Sequence, residues 1–140
     1  MKIVTDEPEK ILLRLDPGEE IVGELVKFFA LRKIGGAEFT ALGAVAWVEL
    51  AFYDRKLKDY AKQRVEGDLE ILNLTGNVSW LAGSPIVHAH GTFGRSDFSV
   101  IGGHVAAAAV SATCEIDLRL FKGEIKRERN EDSGLNLLTR

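Results

Sequence analysis

Apolar and polar residues recur along this chain with two different periods, and the change of period marks its elements. Ile11 to Leu15 is a short apolar run of strand length. Beyond it, Ile21, Leu25, Phe28 and Phe29 fall at i, i+4, i+7 and i+8, one stripe of a helix, with Glu20, Glu24, Lys27 and Arg32 left to face water. Asp16-Pro17-Gly18-Glu19 predicts the helix start, with Asp16 as the cap, Pro17 at the first position and Glu19 completing a capping-box arrangement. Gly35-Gly36 predicts its end.

From Glu38 to Tyr53 both alternating faces are apolar, which predicts a long central strand with Gly43 as a bulge or point of close approach. A turn at 54–56 then leads to a more exposed strand from Leu57 to Val65. Turns at Glu66-Gly67-Asp68 and Thr75-Gly76-Asn77 divide off strands at Leu69 to Leu74 and Val78 to Leu81. Further strands follow at Ile86 to Phe93 and Phe98 to Ile101. Val110 to Phe121 alternates cleanly, with Val110, Ala112, Cys114, Ile116, Leu118 and Leu120 on one face. The charged tail reads as a solvated run or an edge hairpin, because both charge signs are interspersed. One helix among many strands predicts an α+β fold: a mainly antiparallel, curved sheet with one principal helix packed on it. At 140 residues, the chain is read as one domain spanning 1–140.

Composition changes this picture little but narrows the function. Apolar residues at 46% and charged residues at 28% are those of an ordinary folded domain. A net charge of −3 supplies no global field to attract phosphates, so direct DNA binding would fall to local clusters, Arg55, Lys56 and Lys58 or Lys126, Arg127 and Arg129. Cys114, the one cysteine, excludes an internal disulfide and sits in an apolar alternation, as core filler. Neither a signal-like N-terminus nor an apolar run long enough to span a membrane is present, which gives a cytoplasmic expectation.

All three histidines fall within HAHGTFGRSDFSVIGGHV, at His88, His90 and His104. His88 and His90 are two apart in a predicted strand, so both project from one face, about 6.6 Å apart at roughly 3.3 Å per residue. A hairpin can return His104 beside them, with Gly102 and Gly103 permitting close approach. Three neutral imidazoles suit a first-row divalent ion, zinc by default, and a fourth position left to water makes a catalytic-type site. Glu49 is the one charge between Glu38 and Asp54, and a carboxylate in so apolar a strand needs a partner. Glu49 and Glu115 are therefore the candidates for moving protons, should the metal serve an enzyme acting on a small carbonyl or carboxylate compound. No phosphate-binding loop and no GxSxG element occurs.

Taken in order, LDPGEEIV (15–22), GDLEILNLTG (67–76), SPIVHAHGTFG (84–94) and GGHV followed by Glu115 resemble the PPC domain (plants and prokaryotes conserved), in its single-domain prokaryotic form. The resemblance covers nearly the whole chain. It implies an α+β domain that forms homotrimers, with His88, His90 and His104 as a metal-binding unit. It also implies a regulatory or DNA-associated module with protein partners rather than a complete catalytic set. Plant members place an AT-hook before the domain, but no Arg-Gly-Arg-Pro element occurs here, and Asp68 stands where the plant segment carries an arginine. Direct DNA contact is therefore not implied. The architecture is also distantly similar to α-acetolactate decarboxylase, a zinc enzyme with histidine ligands.

Overall fold

A computed structural model describes residues 1–139. Eight strands and one helix follow one another as β1 (Lys2–Asp6), β2 (Lys10–Leu15), α1 (Ile21–Arg32), β3 (Ala37–Asp54), β4 (Asp59–Leu81), β5 (Ser84–Gly94), β6 (Val100–Leu120), β7 (Lys126–Asn130) and β8 (Leu135–Thr139). The sheet runs β1-β2-β6-β3-β4-β7-β8, with β5 pairing both β4 and β6. Strands β3, β4, β5 and β6 thus close into a ring in which each bonds to two others, and closure removes the unpaired edges that an open sheet exposes. The α+β expectation holds in its broad form, but the sheet is mixed. Phe121 N–H bonds to Gly36 O at 3.0 Å and Ile125 N–H to Gly35 O at 2.9 Å, which lays the chain after β6 along the start of β3 and delivers Lys126 parallel to Trp80 of β4.

The helix begins later than Asp16 implies. Gly18 N–H donates to Val110 O at 2.9 Å and Val110 N–H to Glu19 O at 3.0 Å, so residues 16–19 form a turn stitched to β6. Glu20 is the cap instead: its carboxylate accepts from Val22 and Gly23 N–H at 3.0 and 2.6 Å, and from Ala108 N–H of β6 at 3.0 Å. One side chain starts the helix and ties it to the sheet. The helix ends at Lys33 in the left-handed conformation, φ 52°, before Gly35-Gly36. Its predicted stripe, Ile21, Leu25, Phe28 and Phe29, is fully buried against β5 and β6.

Strands merge where the sequence predicts turns. β4 runs unbroken through 66–68 and 75–77, absorbing register shifts against β3 near Trp47 and against β5 near Ile71. Gly76 is not a turn residue but a flat site: it pairs with Phe39 across the ladder, and a Cβ there would lie 2.8 Å from the Phe39 ring. β6 likewise continues through Gly102-Gly103 to Leu120, while Phe98 sits in the preceding loop. β1 has no apolar alternation and all five residues are exposed, so the hydrophobic pattern gives no sign of it. The core joins α1 to the inner faces of β2 through β6, and Cys114 is buried in it as predicted.

Candidate metal centre

The β5–β6 ladder builds the histidine cluster. His88 and His90 share one face of β5, and the antiparallel register pairs His90 directly with His104, followed by Gly91 with Gly103 and Thr92 with Gly102. The three rings form a near-equilateral triangle, with centroid separations of 5.2 Å (88–90), 5.4 Å (88–104) and 5.3 Å (90–104). A ligand nitrogen from each lies within 4.8 Å of the others. Nitrogens about 2.0 to 2.1 Å from one tetrahedral ion stand roughly 3.4 Å apart, so holding one ion would draw the rings closer together.

Electrostatics favours the uncharged, ligating form of His88 and His104. Burial holds His88 below the usual histidine range, reinforced by the Arg127 charge and by His90. Burial lowers His104 further, to about 4, with help from His88, His90 and Lys62. The Nδ1 atom of His104 is buried without a hydrogen-bond partner, an unmet need that a metal or a ligand at the cluster would supply. His90 is exposed while the other two are partly buried, so the cluster is open on one side. The three residues therefore fit a divalent ion in both chemistry and placement.

Two cavities meet at His88. One, of about 650 Å³, is bounded by His88 and His90 with Phe39, Asn77 and Phe121. The other, of about 360 Å³, is bounded by His88, His104, Tyr60, Arg127 and the β7–β8 hairpin. The Tyr60 ring stacks at 5.0 Å on His104, and Tyr53 lies 4.9 Å beyond it.

Comparison with known proteins identifies the lineage. The model of the Plants and Prokaryotes Conserved (PCC) domain matches residues 5–122. The chain belongs to this family. A metal-containing protein from Archaeoglobus fulgidus is 34% identical over 100% of both chains, with a TM-score of 0.86. A protein from Bacteroides thetaiotaomicron, provisionally named as DNA-binding, is 30% identical over 99% of this chain and 96% of its own, with a TM-score of 0.93. α-Acetolactate decarboxylase from Bacillus subtilis shares the fold alone: 13% identity, a TM-score of 0.56, and coverage of 87% of this chain against 57% of the enzyme. No curated protein matches by sequence comparison.

Within this PCC domain the other predicted residues stand apart from the cluster. Glu49 has its partner in Lys62, at 3.0 Å, and Glu115 is exposed on β6 opposite Leu42 and Arg14. Neither carboxylate joins the ligand group among the described residues. Burial pushes the Cys114 thiol up to about 12, which leaves it unreactive. Of the basic clusters, Lys58 donates to Glu131 O at 2.9 Å, while Lys126 lies 3.5 Å from Glu124. Arg127 turns inward, toward His88.

Arg127 and Tyr60 are the site residues that the sequence reading missed as such. Arg127 lies on β7, beyond the family-matched residues, and reads in sequence as one charge of a solvated run. No residue of KRERN is apolar, so the tail carried no periodic signal that Arg127 faces inward. Among the described residues no helix is long and apolar enough to cross a membrane.

Proposed function

We propose that His88, His90 and His104 are the protein ligands of one divalent metal ion, with zinc the best match to three imidazoles. The observation that carries this reading is their convergence from two paired strands, with burial keeping His88 and His104 neutral. Three protein ligands leave at least one position for water or a ligand. The A. fulgidus relative's description as metal-containing supports the reading. Metal analysis of protein purified without a nickel column tests it: one zinc per chain is expected, and a protein that ignores added zinc contradicts it.

The domain acts, in this reading, as a homotrimeric regulatory or DNA-associated module in the cytoplasm. The exposed apolar residues Leu42, Phe52, Leu72 and Val100 on the strands offer surface for self-association. Light scattering at three times the chain mass is the expected result. The provisional name of the B. thetaiotaomicron relative supports a connection with DNA. With net charge −3 and Arg127 engaged inside the fold, a protein partner is the better route to that connection than direct contact.

A second reading, a metal-dependent enzyme acting on a small carbonyl or carboxylate compound, is favoured by the cavities that open onto the cluster. The ion would polarise an oxygen of the bound compound. With Glu49 ion-paired and Glu115 exposed outside the cluster, this reading lacks a proton-transfer group of the expected kind.

A further inference from the structure

Among the described residues Arg127 has no counter-ion. Arg14, Arg32, Arg64 and Arg119 each lie within 3 Å of a carboxylate oxygen. The half-buried Arg127 guanidinium instead donates to three neutral acceptors, Nε to Ser79 Oγ at 2.7 Å, Nη1 to Asn136 O at 2.7 Å and Nη2 to Asn77 Oδ1 at 2.8 Å. No carboxylate of the described residues pairs with it. A guanidinium carries five N–H groups, so one on Nη1 remains for another acceptor and a second, on Nη2, lies beside His88. Its Nη2 stands 3.5 Å from His88 Nδ1, so the uncompensated charge lies against the metal cluster itself.

The cavity at this point carries the same excess. His88, His104 and Arg127 line one side of the roughly 360 Å³ space, and Lys58 and Arg129 add positive charge against Asp59 as the one acid. A divalent ion would deepen the imbalance in a chain whose net charge is −3. A small anion beside the half-buried guanidinium would offset this excess. The remaining walls, Tyr60, Val87, Leu135 and Leu137, are apolar or aromatic, and the volume lies at the low end for small-molecule sites.

We propose that Arg127 and the histidine cluster form one receptor for a small organic carboxylate, whose charged end Arg127 receives beside the ion and whose body lies against Leu135 and Leu137. The N–H left on Nη1 can donate to a carboxylate oxygen, and the walls formed by Val87, Leu135 and Leu137 suit an organic body better than a bare inorganic anion. The proposal rests on the metal reading above and adds to it the ligand class and the residue that selects it. The β7–β8 hairpin is held in place to do so: Tyr53 Oη donates to Ser133 O, Trp80 N–H to Ile125 O at 2.7 Å and Lys58 Nζ to Glu131 O at 2.9 Å.

The test uses the full chain loaded with Co²⁺, whose visible bands report on the ion's surroundings, titrated with butyrate and separately with inorganic phosphate. Butyrate is expected to perturb the spectrum saturably and phosphate to do so at least about tenfold more weakly. Arg127→Met is expected to weaken butyrate by about tenfold or more, the loss of a charge-assisted contact, while cobalt affinity stays within about threefold. Butyrate binding that is absent from the cobalt-loaded protein or unchanged in Arg127→Met overturns the proposal, as does phosphate binding of equal strength. Should Arg127→Met not hold cobalt, Arg127→Lys carries the comparison, because an ammonium point charge cannot reproduce the directed guanidinium contact. It is expected to lose at least about threefold in butyrate affinity, and equal affinity overturns the proposal. Failure of the wild-type chain to bind cobalt at all is a different result, and removes the metal reading on which the proposal stands.

Discussion

His90 and His104 are direct partners across the β5–β6 ladder, their rings 5.3 Å apart and on the same side as His88. The backbone register alone brings residues fourteen positions apart into one cluster. Because the ladder is fixed by main-chain bonds, a side chain can be removed without losing the geometry of the other two. His104→Ala is expected to weaken zinc binding by on the order of 100-fold or more, beyond the effect of losing an outer-shell partner, while far-UV circular dichroism stays unchanged. Glu49→Gln, which breaks only the contact with Lys62, is expected to leave zinc affinity within about threefold by competition with a chromogenic chelator. Equal losses in the two variants would show that the cluster is not the site.

The depressed basicity of His88 and His104 has a consequence for the metal-free protein. A histidine whose pKa falls on folding takes up fewer protons in the native than in the unfolded chain, so stability is complete above the unfolded value near 6.5 and declines as pH falls toward the folded value. For His104 that window runs from 6.5 down to about 4. Urea unfolding of chelator-treated protein is expected to show stability falling between pH 7 and pH 5, above the range in which Asp16, Glu19 and Asp97, all held below the usual carboxylate values, begin to titrate. His104→Gln is expected to flatten that slope. A flat wild-type profile over the interval contradicts the burial of the imidazoles.

Glu20 links helix and sheet through one carboxylate. Replacement by Ala removes the cap of α1 and leaves the Ala108 N–H without its acceptor. The expected cost is about 2 kcal/mol in urea unfolding, or roughly 6 °C in Tm. Asp16→Ala, at the position that the sequence motif favours, is expected to cost less than about half of that, because Asp16 makes only exposed ion pairs with Lys2 and Arg14.

Gly43 tests the packing of the sheet. It has φ +143°, and a Cβ there would collide with Thr113 O and lie 2.8 Å from Cys114 Cα on β6. Gly43→Ala is therefore expected to cost at least about 2 kcal/mol by the same measurement. A neutral result would mean that β3 and β6 are not so close.

The elements were legible where one face is buried and obscure where glycine has a second use. The stripe of α1, the long β3 and the clean alternation ending β6 follow directly from residues that the structure buries. The supposed turn at 75–77 failed because Gly76 lies beneath the Phe39 ring, a tertiary reason that no local window contains, and the one at 66–68 is an irregularity in β4 at the register shift near Trp47, with Gly67 at φ +106°. The same limit governed the site. His88 and His90 were paired by the two-residue strand period, and the return of His104 by a hairpin was readable from the intervening turn. Arg127 was not, because its inward face depends on how residues 121–125 run along Gly35 and Gly36 before β7 joins β4. Glu49 looked isolated along its own strand, whereas Lys62 reaches it from the strand alongside.

The central claim is that three imidazoles hold one divalent ion with room left beside it. Zinc K-edge X-ray absorption on the protein reconstituted with one equivalent of zinc measures this directly. The predicted result is three imidazole nitrogens at about 2.0 to 2.1 Å together with at least one oxygen ligand. A shell of oxygens alone, or no zinc retained after desalting, would contradict it.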